Sequence, residues 1–241
     1  MRAVVLAAGV GQRLRGLLDN IPKPMANVLG KPILEHNIEW LKKFGVTDIF
    51  VNLHYLPECI TGYFGDGSDW NVHITYSHEK ELLGTAGAVK KISWKYWNDE
   101  DSEPFLVVYG DNILSDFDLT RIIKFHKTNP CIATICLYRK PEEVYKSGVA
   151  VINEHSRILR FIEKPAPGQI TSDLVNTGIY VLEPVILKYI PESGSCDFAR
   201  DVFPKVLDDG KQLNGFVFDA NLIAIDTPQL FRKNIDLKVT K

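Results

Sequence analysis

Short apolar segments rich in β-branched residues alternate with helix-like segments over the first 140 residues. In the segment 32–45, for example, Ile33, Ile38 and Leu41 recur at helical spacing and Gly45 ends the pattern. Strands are predicted at 3–8, 48–53, 72–77, 104–111 and 131–138, and helices at 32–45, 57–65, 85–92 and 118–128. This order predicts an α/β fold with a mostly parallel sheet and helices on both faces.

The pattern changes after residue 140. Three strands lie close together in sequence, in "GVAVIN", "RILRFIEKP" and "LVNTGIYVL", and helices are predicted at 184–190, 196–207 and 227–238. No low-complexity linker separates the two parts. We therefore expect one domain over 1–241, with a doubly wound half at 1–140 and a smaller α+β half at 141–241.

Composition excludes several classes of function. The net charge of −2 gives no basic field for nucleic acid or an anionic membrane. No apolar run approaches the ~18 residues of a membrane span, and the N-terminus does not have the form of a signal peptide. The four cysteines show no metal-ligand or disulfide spacing. A cytoplasmic protein that binds neither nucleic acid nor membrane is expected.

A glycine loop follows the first strand, in "LAAGVGQRLRG" at 6–16. Gly9 and Gly11 would let the backbone approach a phosphate closely, and Arg13 and Arg15 could neutralise its oxygens. The loop is not a Walker A motif, and Leu14 stands where a dinucleotide fingerprint has its third glycine. The alternative interpretation is a plain glycine turn with solvated arginines.

Two single charged residues have settings that favour function. Lys23 lies between two prolines in "IPKPM", so its ammonium is positioned with little conformational entropy left to lose. Asp111 follows a buried strand in "VVYGDN", where a carboxylate suits Mg²⁺ together with phosphate oxygens. The alternatives are a proline-rich turn with an exposed lysine and a common turn aspartate.

Three further segments offer polar groups at strand ends or a helix start. Gly84 and Thr85 in "LGTAGA" could accept a phosphate or lie against a base or ribose, or Thr85 could be an ordinary helix cap. Glu163 and Asn176 could bind sugar hydroxyls and Lys164 an anionic phosphate, or they could be a surface ion pair and a strand-end asparagine. With no nucleophile–histidine motif readable, this inventory of cations, acids and glycine N–H groups suits phosphoryl or nucleotidyl transfer.

Together, "LAAGVGQRLRGLLDNIPKP", "LGTAGA", "GDN", "EKP" and "NTGIY" resemble the sugar-1-phosphate nucleotidyltransferases, and most of all the mannose-1-phosphate guanylyltransferases, from Met1 to about Pro228. The resemblance implies a Rossmann-like fold, a nucleotide-binding half at 1–140, a sugar-binding half at 141–241, and conversion of an NTP and a sugar 1-phosphate into NDP-sugar and pyrophosphate. It implies catalytic roles for Arg13, Lys23 and Asp111, nucleotide contacts from Leu6, Ala8, Gly9, Gly11, Gly84 and Thr85, and sugar-phosphate contacts from Gly148, Glu163, Lys164, Asn176 and Thr177.

The resemblance also implies Mg²⁺ as cofactor, bound by Asp111 and a second aspartate. That aspartate falls on Ala224 when "NLIAIDTPQLF" is aligned on Thr227-Pro228, so Asp226 or Asp219 would have to replace it, or Asp111 and phosphates would hold the metal alone. The resemblance is compatible with a homodimer, and no C-terminal β-helix is expected. Gln12 and Gly16 are smaller departures from the family pattern.

Four functions remain open at this level. We expect transfer from GTP to mannose or manno-heptose 1-phosphate. Uridylyl or thymidylyl transfer to glucose or another sugar 1-phosphate is the first alternative. A nucleotide-sugar-binding protein with impaired catalysis is the second, because Ala224 lacks a carboxylate. A nucleotidyltransferase for a non-sugar alcohol phosphate shares the first motif, but Glu163 and "NTGIY" favour a sugar.

Overall fold

The computed structural model describes residues 1–9, 11, 18, 21–98, 103–114, 117–218 and 222–224. The strands are β1 (Ala3–Leu6), β2 (Asn27–Val28), β3 (Lys31–Pro32), β4 (Asp48–Leu53), β5 (His73–His78), β6 (Phe105–Tyr109), β7 (Asn112–Leu114), β8 (Ala133–Arg139), β9 (Gly148–Ile152), β10 (Ile158–Glu163), β11 (Leu174–Leu182), β12 (Leu213–Val217) and β13 (Leu222–Ala224). The α-helices are α1 (Ile33–Lys43), α2 (Pro57–Phe64), α3 (Gly84–Tyr96), α4 (Leu119–Thr128) and α5 (Phe203–Asp208).

The chain contacts divide it into two compact units. Unit I comprises the described residues of Arg2–Leu82, Val108–Phe117 and Asn221–Lys241. Unit II comprises Met1 and the described residues of Leu83–Val107 and Asp118–Ala220. Each unit is therefore assembled from separated segments, whereas the sequence suggested a single boundary near residue 140. The expectation of one functional domain over 1–241 stays a prediction.

Unit I contains a parallel sheet. Strand β4 pairs in parallel with β1 on one side and with β5 on the other, with Leu6 opposite Asn52 and Leu53 opposite His78. Helix α1 buries one face, including Ile33, Leu34 and Ile38, because its apolar residues recur at helical spacing. Two small antiparallel pairs complete this unit, β2 with β3 and β7 with β13.

Unit II contains a mostly antiparallel sheet. Its order is β10, β9, β11, β8 and β12, and only the β8–β12 pair in this series is parallel. Phe161 and Tyr180 of this sheet pack against Phe198 and Phe203, with ring centroids 5.1–5.7 Å apart. These buried aromatic pairs stabilise the contact between the sheet and the helical segment at 198–208.

The predicted α/β fold with a mostly parallel sheet and helices is confirmed, and its antiparallel pairs in unit II fall mainly in the predicted α+β half. Strand β4 has the predicted bounds. The segment 184–190 is instead a 3₁₀ helix at Pro184–Tyr189, and 196–207 begins with a π-helical turn at Phe198–Val202 before α5. The short strands β2, β3, β7, β12 and β13 were not predicted. The helix expected at 227–238 lies outside the described residues. No helix in the described part of the chain is long and apolar enough to cross a membrane.

Candidate active site

Lys23 and Asp111 form an ion pair in unit I. Lys23 Nζ donates to Asp111 Oδ2 at 2.7 Å, and the lysine side chain is only 8% exposed while the carboxylate is 36% exposed. Lys23 begins a one-turn 3₁₀ helix, with Pro22 before it and Pro24 after it. The predicted fixing of this ammonium by flanking prolines therefore corresponds to a buried, hydrogen-bonded cation.

The backbone near the glycine loop approaches this pair closely. A Cβ atom on Gly11, whose φ is +56°, would lie 3.2 Å from Lys23 Cβ. Gly110, next to Asp111, donates its N–H to Leu6 O at 2.9 Å, and a Cβ there would lie 3.0 Å from the same oxygen. Glycine at both positions thus keeps the end of β1, Lys23 and Asp111 together.

Other loop residues are described only in part. Ala8 is buried, and Gly9 is exposed, with no atom of the described residues within 4 Å of the place a Cβ would occupy. A glycine that the described residues leave uncovered suits close approach of a ligand to the backbone. Arg13, the predicted partner of pyrophosphate, lies outside the described residues, as do Arg15, Asp219 and Asp226.

Two residues that the sequence analysis did not single out hold the start of this loop. Ala7 N donates to Asn52 Oδ1 at 2.7 Å, and Asn52 Nδ2 donates to Glu79 Oε1 at 2.8 Å. Asn52 is 3% exposed and Glu79 6%. A buried carboxylate that fixes a buried amide, which in turn fixes a backbone N–H, is a positioning network. Their position at the carboxyl ends of β4 and β5 was the one available signal in the sequence.

The possible metal site in unit I has one described carboxylate. Ala224 lies opposite Asn112 in the β7–β13 pair, beside Asp111, and its methyl group cannot coordinate a metal. Among the described residues no group of three or more His, Cys, Asp or Glu side chains could hold a metal ion. Mg²⁺ commonly takes only one or two protein carboxylates and completes its shell with phosphate oxygens and water. The partly exposed Asp111 fits that mode of binding.

Unit II brings together Gly148, Glu163 and Asn176, three of the residues predicted to contact the sugar phosphate. Gly148 pairs with Glu163 across β9 and β10, and Val175 pairs with Val149 one residue away on β11. A Cβ on Gly148 would lie 2.9 Å from Glu163 Oε2 and 2.8 Å from the Phe161 ring. Glycine is needed at this position because the carboxylate and the ring occupy the space beside it.

Glu163 is the acid with the clearest electrostatic perturbation in this group. Its side chain is 27% exposed, and burial raises the pKa of its carboxyl above the usual range. Lys164, with Nζ 3.9 Å from Glu163 Oε1, opposes that rise without cancelling it. Lys164 itself has φ +49° and a 57% exposed side chain, so its ammonium is accessible to a ligand.

The side chains of Asn176 and Thr177 form hydrogen bonds that stabilise a bulge in β11. Asn176 donates from Nδ2 to the Tyr180 hydroxyl at 2.8 Å and accepts from Gly178 N at 3.0 Å, where Gly178 has φ +79°. Thr177 is 3% exposed, and its hydroxyl donates to Cys136 O at 3.0 Å. These side chains have structural partners that the sequence did not reveal, and their contacts with a sugar phosphate stay predictions.

The helix start at Gly84 and Thr85 is not arranged to bind a phosphate, which was one of its predicted roles. Thr85 N donates to Asp197 Oδ1 at 3.0 Å, and Ala86 N and Gly87 N both donate to Cys196 O at 2.9 and 3.0 Å. These first amide groups of α3 are the ones that would have bound a phosphate. Since the protein itself uses them, the structure argues against a phosphate at this turn, and contact with a base or ribose stays a prediction.

Comparison with known proteins agrees with this inventory. The nucleotidyl transferase family model matches residues 2–222. The chain belongs to this family. The prediction of its family from five separated motifs is therefore confirmed.

Two curated relatives and one solved structure illustrate the range of the family. A UTP–glucose-1-phosphate uridylyltransferase from Synechocystis sp. is 40% identical over 220 residues, covering 87% of this chain and 56% of the relative. A mannose-1-phosphate guanyltransferase from Aspergillus fumigatus is 35% identical over 243 residues, covering 100% of this chain and 65% of the relative. The chain thus spans a little over half to about two thirds of their lengths. The structure of HddC from Yersinia pseudotuberculosis, complexed with GMP-PN, has a TM-score of 0.79 and 27% identity, with 98% and 99% of the two chains covered.

Proposed function

We propose that this chain transfers a nucleotidyl group from a nucleoside triphosphate to a sugar 1-phosphate and releases pyrophosphate. The observation that carries the proposal is the buried Lys23 ammonium bonded to Asp111 beside a glycine loop, within a chain of the nucleotidyl transferase family. A cation buried to this degree, beside a carboxylate that follows β6, is expected to meet ligand anions. Cytoplasmic location and a homodimer stay predictions.

In this proposal the reaction is direct displacement. An oxygen of the sugar phosphate attacks the α-phosphorus in line, the bond to the β-phosphate oxygen breaks, and pyrophosphate leaves with the electron pair. Lys23 neutralises charge on the α-phosphate and the incoming phosphate, and Arg13 is proposed to hold the leaving pyrophosphate. Gly9 and Gly11 admit the triphosphate, and Glu163 and Lys164 bind the sugar hydroxyls and the sugar phosphate.

Asp111 is the proposed protein ligand of Mg²⁺, with Asp226 as its partner. The metal, when bound, supplies charge neutralisation and orientation of phosphate oxygens. Asp111→Asn should lower activity at least ~10- to 100-fold and raise the Mg²⁺ concentration at half-maximal rate. Asp226→Asn should move the same concentration in the same direction if Asp226 compensates for Ala224. Asp173→Asn, at an exposed aspartate paired with Arg139, is the control.

The base and sugar have two candidates. GTP with mannose or manno-heptose 1-phosphate is supported by the Aspergillus relative, which aligns over the whole chain, and by the similarity to HddC with its GMP-PN. UTP with glucose 1-phosphate is supported by the higher identity of the Synechocystis relative. We favour the guanylyl reaction because the motifs, taken together, most resemble those of the guanylyltransferases; "LGTAGA" alone is shared with some uridylyltransferases.

The deciding experiment is pyrophosphate release with Mg²⁺ over a matrix of GTP, UTP, CTP, dTTP and ATP against mannose, manno-heptose, glucose and galactose 1-phosphates. The expected maximum is GTP with a manno-configured sugar. A maximum at UTP with glucose 1-phosphate would replace the base and sugar but keep the reaction. Absence of turnover with every pair of substrates, with nucleotide binding still measurable, would instead support a binding protein with impaired catalysis.

A further inference from the structure

Asp197 connects the Gly84–Thr85 turn to a second segment of unit II. Its Oδ1 accepts from both Thr85 N at 3.0 Å and Thr85 Oγ1 at 3.1 Å. The Thr85 hydroxyl in turn accepts from Phe198 N at 2.9 Å. The threonine hydroxyl is thereby both donor and acceptor within the protein, and the turn is tied to the residues around Asp197 by side chain and main chain.

Close contacts with Cys196 fix the position of this turn. Gly84 has φ +73°, and a Cβ there would lie 2.5 Å from Cys196 O. Cys196 N also donates to Leu83 O at 2.8 Å, next to the two bonds that Cys196 O receives from α3. The close backbone approach requires glycine at 84, and it makes the position of the turn depend on the 196–198 segment.

Asp197 is itself held by its neighbours. Its N–H donates to Asp201 Oδ2 at 2.7 Å, and Arg200 Nη2 lies 3.1 Å from Asp197 Oδ2 and 3.0 Å from Asp201 Oδ2. Arg200 is 58% exposed, so this ion pair is partly solvated. The carboxylate therefore has one oxygen directed to the Thr85 turn and the other to a cation.

The same two charges act on Glu163. Burial is the largest cause of the raised pKa of Glu163, followed by the lowering effect of Lys164; Asp197 raises this pKa and Arg200 lowers it. Asp197 thus influences a predicted nucleotide-binding turn through hydrogen bonds and a predicted sugar-binding acid through its charge. No sequence motif in the resemblance includes Asp197.

We propose that Asp197 is a positioning residue that fixes the Gly84–Thr85 turn for the nucleoside. Strand β10, which ends at Glu163, packs against the π-helical turn that follows Asp197, so the charge of Asp197 also acts near the predicted sugar-binding acid. The proposal rests on the proposed function. It predicts that the two effects can be separated, because an asparagine keeps a hydrogen-bond acceptor while losing the charge, and a valine at 85 removes the hydroxyl while keeping the Asp197 charge.

Four variants make the separation: Asp197→Asn, Asp197→Ala, Thr85→Val, and Asp173→Asn as a control for loss of a carboxylate elsewhere in unit II. Two readouts need no ligand. Amide hydrogen exchange at Thr85, Ala86 and Gly87 reports on the turn, and the ¹³C shift of the Glu163 side-chain carboxyl, assigned with Glu163→Gln, reports its pKa. Affinity for GTP and UTP is measured by calorimetry on the full chain.

Asp197→Ala should speed exchange in the turn and weaken nucleotide binding by roughly 10-fold, and should also lower the pKa of Glu163. Asp197→Asn should lower that pKa with a much smaller effect on exchange and affinity. Thr85→Val should weaken nucleotide binding and leave the Glu163 pKa unchanged. Asp173→Asn should resemble the wild type in all three measurements.

Unchanged exchange and an unchanged Glu163 titration in folded Asp197→Ala, with normal nucleotide binding, would overturn this proposal alone. The proposal would also be overturned if Asp197→Ala altered hydrogen exchange in the turn but left nucleotide affinity unchanged, since Asp197 would then only stabilise the fold. Failure of the wild-type chain to bind any nucleotide would overturn the proposed function, and with it the role in nucleoside positioning. The two failures are therefore distinguishable.

Discussion

The Lys23–Asp111 pair of unit I and the Thr85–Asp197 contact of unit II use an aspartate in opposite ways. Asp111 accepts a hydrogen bond from a side-chain ammonium, and its carboxylate is 36% exposed. Asp197 receives a backbone N–H and a hydroxyl from one residue of a rigid turn. The first arrangement can exchange partners when charged ligands arrive, whereas the second keeps a backbone in place. We infer that substitutions in the first chiefly reduce turnover and those in the second chiefly reduce affinity.

The largest effect should come from Lys23→Met, which retains most of the side-chain volume and removes the charge. We expect kcat to fall by roughly 10²–10³-fold, because a preorganised charge at the developing negative charge is lost. Pyrophosphate release under saturating substrates measures it. Lys31→Met, at a more exposed lysine paired with Glu39, is the matched control. A Lys23→Met enzyme with a raised KM and normal kcat would show that this lysine acts only in binding.

The sequence was sufficient to single out Lys23 and Asp111, which the structure brings together, because these residue types have recognisable local settings. Prolines flank Lys23, and Asp111 follows an apolar strand. Asn52, Glu79 and Asp197 have no such signature. They act on backbone groups 45 to 112 residues away in sequence, or on one another, and only the folded chain brings these groups together.

The fold shows the same limit. Long periodic segments such as β4 and α4 were predicted closely, since burial of a whole face leaves a clear pattern. The pairs β2–β3 and β7–β13 have only two or three residues per strand, which is too few for a periodic signal. The π-helical turn before α5 begins where Thr85 is hydrogen-bonded to Asp197 and Phe198, more than 100 residues away in sequence, and no local pattern reveals such contacts.

Substitution of Asn52 should give the next largest effect on activity. Asn52 positions a backbone group within unit I, so it tests whether a positioning residue there also acts chiefly on affinity. Asn52→Leu removes the acceptor of the Ala7 N–H and the donor to Glu79, two buried groups. We expect KM for the nucleoside triphosphate to rise roughly 10-fold, with a smaller change in kcat and some loss of stability. Steady-state kinetics and thermal unfolding separate these effects.

Exchanging the amide of Asn52 with the carboxylate of Glu79 provides the control for this substitution. Asn52→Asp alone would place two carboxyl groups at the 2.8 Å contact, whereas Asn52→Asp with Glu79→Gln restores one amide donor and one carboxylate acceptor. The double variant should bind nucleotide better than Asn52→Asp alone, as a positive coupling in a double-mutant cycle. Strictly additive effects would argue against the Ala7–Asn52–Glu79 network.

The smallest effect should appear in stability, at Glu163. Burial raises the pKa of this carboxyl, so its ionised form is less favourable in the folded state than in the unfolded state. The favourable contribution of the protonated acid is complete below the ordinary glutamate pKa and is lost as pH rises through the raised folded value. Glu163→Gln should therefore raise Tm at pH 8 and change it little at pH 4.

The rise in Tm should be smaller than the ~2–4 °C that 1 kcal/mol produces in a chain of this size. The same variant should raise KM for the sugar 1-phosphate, since an amide replaces a carboxylate acceptor. Glu154→Gln, at an 84% exposed glutamate, should alter neither quantity. A Glu163→Gln variant destabilised at pH 8 would contradict this prediction, because attraction of the carboxylate to Lys164 and Arg200 would then outweigh the cost of its burial.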